Sequence, residues 1–267
     1  MPDHDYSGPN PATSTSHVGS YRRVLPVSLE RMYENTLDWE HLPYLHESSF
    51  GSIECLDAGP WGWRARVVDS SGGASELELL LDRSRRRWIT RNISGPSQGA
   101  EIWTQVAPLA PHKLEIVVDF FVPDVPVAAQ EKVGRAYASA YTRLYDEDVA
   151  MMVARQAHLD RRVEGTSERE RVVGPVDQLA ERLIVSFRGR DLVLVQHEGD
   201  WHVFPAVCPH QLGPLAQAPL IAGTVTCPWH GYQFDVRTGA NLSGQSCRFS
   251  QLPKVLVREQ MLVLTQA

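Results

Sequence analysis

The spacing of apolar positions changes character several times along the 267 residues. Residues 1–19 are rich in Pro, Ser, Thr and Gly with almost no large apolar side chain, so burial cannot offset the entropy of ordering them, and a disordered tail is expected. A short strand follows at Val24-Leu25-Pro26-Val27, and Ser28 is placed to cap a helix that starts at Leu29 and runs to about Leu42. Between Ile53 and Val122 the pattern turns to β runs: 63–68, 77–81, 87–93, 102–106 and 114–121, joined at Gly72-Gly73, Gly95-Pro96 and Ala110-Pro111. After Pro126 a helical period extends to about Arg162, with apolar or aromatic residues at 133, 137, 141, 144, 151 and 152. This order predicts an α+β domain over 20–162, a curved antiparallel sheet gripping one long helix with a cavity between them. Residues 163–172 are polar and read as a linker able to span roughly 30 Å. From 173 to 267, short strands with regular turns predict a small all-β domain.

Composition narrows the partners. A hydrophobic content of 43% over this length suits two compact domains. The formal charge of −6 gives no basic footprint for nucleic acid, and the arginines at 85–87 read as one solvated strand end. No run approaches the about eighteen apolar residues that cross a bilayer, and the N-terminus lacks a basic stretch followed by an apolar one. A soluble, cytoplasmic protein without a membrane or nucleic-acid partner is expected. Of four cysteines, two stand beside histidines at metal-ligand spacing, which suits a reducing compartment; Cys55 and Cys247 are expected to be buried thiols.

The sharpest chemistry lies near the end: Cys208-Pro209-His210, sixteen intervening residues, then Cys227-Pro228-Trp229-His230. Two thiolates can hold one iron of a [2Fe–2S] cluster and two imidazoles the other. Zinc also accepts two Cys and two His, but zinc fingers pair like with like, whereas each loop here offers one of each. The runs Cys-Pro-His-Gln-Leu-Gly-Pro-Leu (208–215) and Cys-Pro-Trp-His-Gly-Tyr-Gln-Phe-Asp (227–235), with Thr238-Gly239, resemble Rieske domains over about residues 172–265. The resemblance implies a Rieske [2Fe–2S] cluster on Cys208, His210, Cys227 and His230. It further implies that Gly213, Pro214 and Gly231 let backbone N–H groups approach the cluster sulfurs. Gln211-Leu212 departs from the Arg-Gly of many oxygenase members. Neither ligand loop carries the extra cysteine of a loop-bridging disulfide, which favours the oxygenase and ferredoxin branch.

A second candidate lies near the start. On a continuous helix Glu34, Asp38 and His41 form one polar stripe, and Pro43, by forcing Leu42 from α geometry, could turn His41 and His46 onto one ion. On the long helix the stripe Tyr137, Tyr141, Leu144 continues to Asp148, an inward carboxylate that needs a partner such as a metal; Asp146 and Glu147 fall off the stripe and are expected to be solvated. Two His and one carboxylate leave coordination sites open for dioxygen, as in non-haem Fe(II) oxygenases. The bland reading is a polar helix face and an Asp bonded to a neighbour. Glu-x3-Asp-x2-His-x4-His, together with Glu147-Asp148 and Gln156, resembles the iron motif of Rieske non-haem iron oxygenases. That resemblance implies mononuclear Fe(II) on His41, His46 and Asp148, with Asp38 as the electron-transfer bridge to a cluster imidazole. In the family this bridge crosses a subunit boundary within a trimer, so a homo-oligomer is expected. The order of domains is reversed relative to the family, and only 102 positions separate His46 from Asp148.

Three functions remain open at this point. The first is an oxygenase that takes electrons from a separate reductase or ferredoxin, activates O2 and oxidises, most simply hydroxylates, a small apolar or aromatic organic substrate. For it, Trp61, Trp63, Trp88 and Trp103 are candidates for cavity walls or for ordinary core. The second is a helix-grip, START-like ligand-binding domain fused to a Rieske ferredoxin, transferring electrons without mononuclear iron. The third is an assembly subunit with an electron-transfer role and no cavity. The first two divide on whether the three proposed ligands converge on one metal position.

Overall fold

The computed structural model describes residues 15–161 and 167–266. The described residues form two compact units that meet between Val153 and Ala154 in the sequence.

In the first unit, β1 (Thr15–Leu25) is followed by α1 (Leu29–Leu37), the single turn α2 (Leu42–Leu45) and six strands: β2 (Phe50–Gly59), β3 (Gly62–Asp69), β4 (Ala74–Asp82), β5 (Arg87–Ser94), β6 (Glu101–Ala110) and β7 (Lys113–Pro123). They form one antiparallel sheet in the order β1-β7-β6-β5-β4-β3-β2. The helix α3 (Val127–Asp160) has 34 residues, about 51 Å at 1.5 Å per residue. The period of two is cleanest in β7, where Leu114, Ile116, Val118 and Phe120 are fully buried. Val18, Trp63, Ala65, Val67, Leu79, Leu81, Trp88, Ile102 and Val106 join them in one core with Tyr145 and Met152 of α3. Burying each large apolar side chain contributes roughly 1.5–3 kcal/mol. This is the expected α+β helix-grip arrangement.

The helix meets β1 where neither has a side chain: a Cβ on Gly134 would lie 2.1 Å from the carbonyl oxygen of Val18 and 3.3 Å from Gly19 Cα. Glycine there permits backbone contact and fixes the height at which α3 crosses the sheet.

Three expectations need correction. Residues 15–19 of the anticipated tail are the start of β1, paired with β7 through Thr15↔Pro123 to Gly19↔Phe120; residues 1–14 lie outside the described residues. The anticipated helix to Leu42 ends at Leu37. The anticipated linker 163–172 overlaps a strand from Glu170, while its residues 163–166 are outside those described.

The second unit carries β8 (Glu170–Pro175), β9 (Arg182–Phe187), β10 (Arg190–His197), β11 (Asp200–Pro205), β12 (Leu220–Ile221), β13 (Thr224–Thr226), β14 (Gln233–Asp235), β15 (Lys254–Arg258) and β16 (Met261–Thr265). They make three small sheets, β11-β10-β9, β12-β13-β14 and β15-β16-β8. Phe187, Leu192, Leu194, Val203, Leu262 and Leu264 form a core there. No helix among the described residues is long and apolar enough to cross a membrane.

Candidate metal centres

In the first unit, α1 stops as Asp38 leaves helical geometry at φ −87, ψ 84, its N–H still donating to the carbonyls of Glu34 and Asn35. The break thus lies at Asp38, not at Pro43. Pro43 sits in the first turn of α2, where a missing N–H costs nothing. His41 and His46 flank this single turn, and the N–H of His46 closes it onto the carbonyl of Leu42 at 3.1 Å. Their rings are 5.2 Å apart and inclined at 70°.

Across from them α3 presents Asp148. Its Oδ1 is 3.1 Å from His46 Nε2 and 3.4 Å from His41 Nε2. Ligand atoms of the three residues lie within 4.8 Å of one another, and all three residues are buried. Two cis ligands each about 2.1 Å from a metal are about 3 Å apart, so the donor set fits a mononuclear ion with open coordination sites. The Asn35 side-chain N–H donates to Asp148 Oδ1 at 2.9 Å. Asp38 Oδ2 stands 3.7 Å behind His41 Nδ1, a charge contact rather than a hydrogen bond.

The electrostatics suit a cation. Burial alone would lower the pKa of His41, but the carboxylates of Asp148 and Asp38 outweigh it and raise that pKa. Burial alone would raise Asp148, yet hydrogen bonds with His41 and His46 hold its carboxyl well below the usual range. A buried carboxylate facing two ring nitrogens requires positive charge between them, supplied by a proton or by a metal ion.

The ligand atoms edge a cavity of about 130 Å³ bounded by Phe50, Trp63, Leu77, Leu79, Trp88 and Tyr141. Of the four tryptophans, Trp63 and Trp88 line it. Trp61 lines a separate surface depression, and the Trp103 N–H donates to Glu101 under the guanidinium of Arg87. Glu147, expected to be solvated, instead accepts from His46 Nδ1 at 2.5 Å, whereas Asp146 pairs with Arg23 at an exposed position. The helical period offers no signal for Glu147 or Asn35, because both contacts depend on side-chain reach across elements.

In the second unit both ligand loops close by the same device. The Cys208 carbonyl accepts from Leu212 N–H at 3.0 Å while its own N–H donates to Gly213 O at 2.7 Å; the Cys227 carbonyl accepts from Gly231 N–H at 2.9 Å while its N–H donates to Tyr232 O at 2.8 Å. The fifth residue of each loop is left-handed: Leu212 at φ 65 and Gly231 at φ 66. Both cysteines are buried, and none of the four is in a disulfide; Cys55 and Cys247 are half-buried rather than buried. The rings of His210 and His230 are 4.5 Å apart.

Donors converge on the sulfurs. The Cys227 thiol is pushed down, first by the Cys208 thiol and also by His230 and the backbone N–H groups of Trp229 and His230; its neighbour Cys208 is pushed up, chiefly by Cys227 and by burial. A Cβ on Gly213 would lie 2.6 Å from Cys227 Sγ, so this loop approaches the sulfur as closely as backbone can. Two thiols, two imidazoles and a backbone cradle suit a [2Fe–2S] cluster.

The Rieske [2Fe–2S] domain family matches residues 170–252. Those residues are a Rieske [2Fe–2S] domain. Such a domain implies a [2Fe–2S] cluster, for which Cys208, His210, Cys227 and His230 are the available ligands. Apoptosis-inducing factor 3 of Mus musculus is 42% identical over 48 residues, 18% of this chain and 8% of that protein. The ferredoxin component of the alkene monooxygenase system of Xanthobacter autotrophicus is 29% identical over 77 residues, 28% of this chain and 63% of that protein. This chain thus spans less than two thirds of either relative. A START superfamily protein from Mycobacterium smegmatis superposes with a TM-score of 0.42 at 16% identity, over 50% of this chain and 95% of its own.

Proposed function

We propose that the protein is a Rieske non-haem iron oxygenase. In this reading the Rieske cluster takes electrons from a separate reductase or ferredoxin and serves a mononuclear Fe(II) held by His41, His46 and Asp148. The observation that carries it is the convergence of two buried imidazoles and one buried carboxylate at the edge of an apolar cavity. Iron bound there would supply activation of O2 and oxidation of a C–H bond. The residues do the rest. Trp63, Trp88, Phe50, Leu77 and Leu79 exclude water and orient an apolar substrate against the ligands. A cavity of about 150 Å³ holds benzene, so the 130 Å³ here suits a substrate of about one ring. Asp38, behind His41, is the residue through which a cluster imidazole would be coupled to the iron, and a homo-oligomer, a trimer by the family's pattern, would bring the partners together.

The similarity of the Rieske domain to a ferredoxin component favours a second reading, electron transfer by a Rieske domain fused to a ligand-binding domain without mononuclear iron. One experiment separates the two. Anaerobically purified protein should contain about three irons and two acid-labile sulfides per chain, falling to two irons with sulfide unchanged in the His41→Ala/His46→Ala variant. Two irons in both proteins would select the second reading.

A further inference from the structure

The two imidazoles of the proposed iron site are not held alike. His41 Nδ1 is buried without a hydrogen-bond partner, its nearest carboxylate being Asp38 at 3.7 Å. His46 Nδ1 meets Glu147 Oε2 at 2.5 Å, and the opposite nitrogen of the same ring faces Asp148 Oδ1 at 3.1 Å. Consecutive residues on α3 therefore bracket one imidazole from both sides. Side chains one position apart on a helix diverge by about 100°, so the bracket exists only because the Glu147 side chain, longer than that of Asp148, reaches around the ring. The His46 side chain is 2% exposed and that of Glu147 36%, so the carboxylate stands at the edge of the site, one side toward solvent and one on the ring.

We infer that Glu147 is a positioning residue for the metal: it accepts the Nδ1 proton of His46, fixes that tautomer and ring orientation, and leaves Nε2 as the nitrogen presented to the ion. Carboxylates that hold the outer N–H of a ligating imidazole typically account for 10–100-fold in metal affinity. The inference rests on the proposed iron site, but its signature can be separated from it.

Anaerobic Fe(II) titration of the cluster-loaded full chain should give a Kd raised roughly 10–100-fold in Glu147→Ala and by less in Glu147→Gln, whose amide oxygen can still accept from Nδ1. The visible absorbance of the cluster and the thermal midpoint should be unchanged, excluding a general loss of structure. With diamagnetic Zn(II) in the mononuclear site, the Nδ1–H of His46 should exchange slowly with solvent in the wild type, held by Glu147, and measurably faster in Glu147→Ala. Fe(II) affinity within twofold of wild type in Glu147→Ala, with His46→Ala abolishing binding, would overturn the role of Glu147 and leave the iron site standing. No Fe(II) affinity in the wild type would overturn both.

Discussion

The two candidate metal centres are assembled by opposite strategies. The Rieske loops take each Cys and His pair from within four residues, and their turns close on their own backbone. The proposed mononuclear site takes two histidines from a broken helix and a carboxylate 102 positions later, so those groups meet only when α3 is seated on the sheet. A site made of local turns survives disturbance elsewhere in the chain; one made by packing responds to every change in the helix that closes it.

This contrast can be broken site by site. The largest effect is expected for Cys227→Ser, which should abolish the cluster's visible absorbance and its two sulfides while anaerobic Fe(II) titration still finds the mononuclear site. Next is Asp148→Ala: Fe(II) affinity should fall by about a hundredfold or more, beyond the range for outer contacts, with cluster absorbance unaltered. Loss of the cluster in that variant would mean that the sites are not independent. Gly213→Ala places a methyl group 2.6 Å from Cys227 Sγ and should cost roughly 1–3 kcal/mol, read as a lower denaturation midpoint of cluster absorbance. The smallest effect is a near-cancellation. Leu212 holds the left-handed position that Gly231 fills in the other loop, so in Leu212→Gly the relief of strain offsets the lost burial of a half-buried side chain and the added entropy of glycine, and the stability read from the same transition should stay within about 0.5 kcal/mol of wild type.

The same contrast governs what could be read from the chain alone. The Cys-x-His and Cys-x2-His loops are complete within their own residues, and α3 is legible because apolar and aromatic residues recur at helical spacing from Val133 to Met152, interrupted at Asp148. Strand β2 escaped because Phe50–Gly59 is a mostly exposed edge carrying Gly51, Glu54 and Asp57, with no apolar alternation to mark it. The first half of β1 reads as a polar tail because its order is imposed by pairing with the apolar β7. Pro43 is the conspicuous helix breaker in the sequence but not the one that acts, since nothing in Asp38-Trp39-Glu40 announces that α1 ends there. Glu147 was hidden for a related reason: a helical wheel records direction, not the reach of a side chain around a ring.

The walls of the cavity come only in part from the elements that carry its candidate ligands. Trp63, Leu77, Leu79 and Trp88 belong to β3, β4 and β5, whereas Leu42, Tyr141, Leu144 and Tyr145 share the turn and the helix of His41, His46 and Asp148. Substitutions confined to the strand half of the lining would re-shape what the pocket admits without replacing any candidate ligand, whereas substitutions on the helix half would touch shape and ligands together.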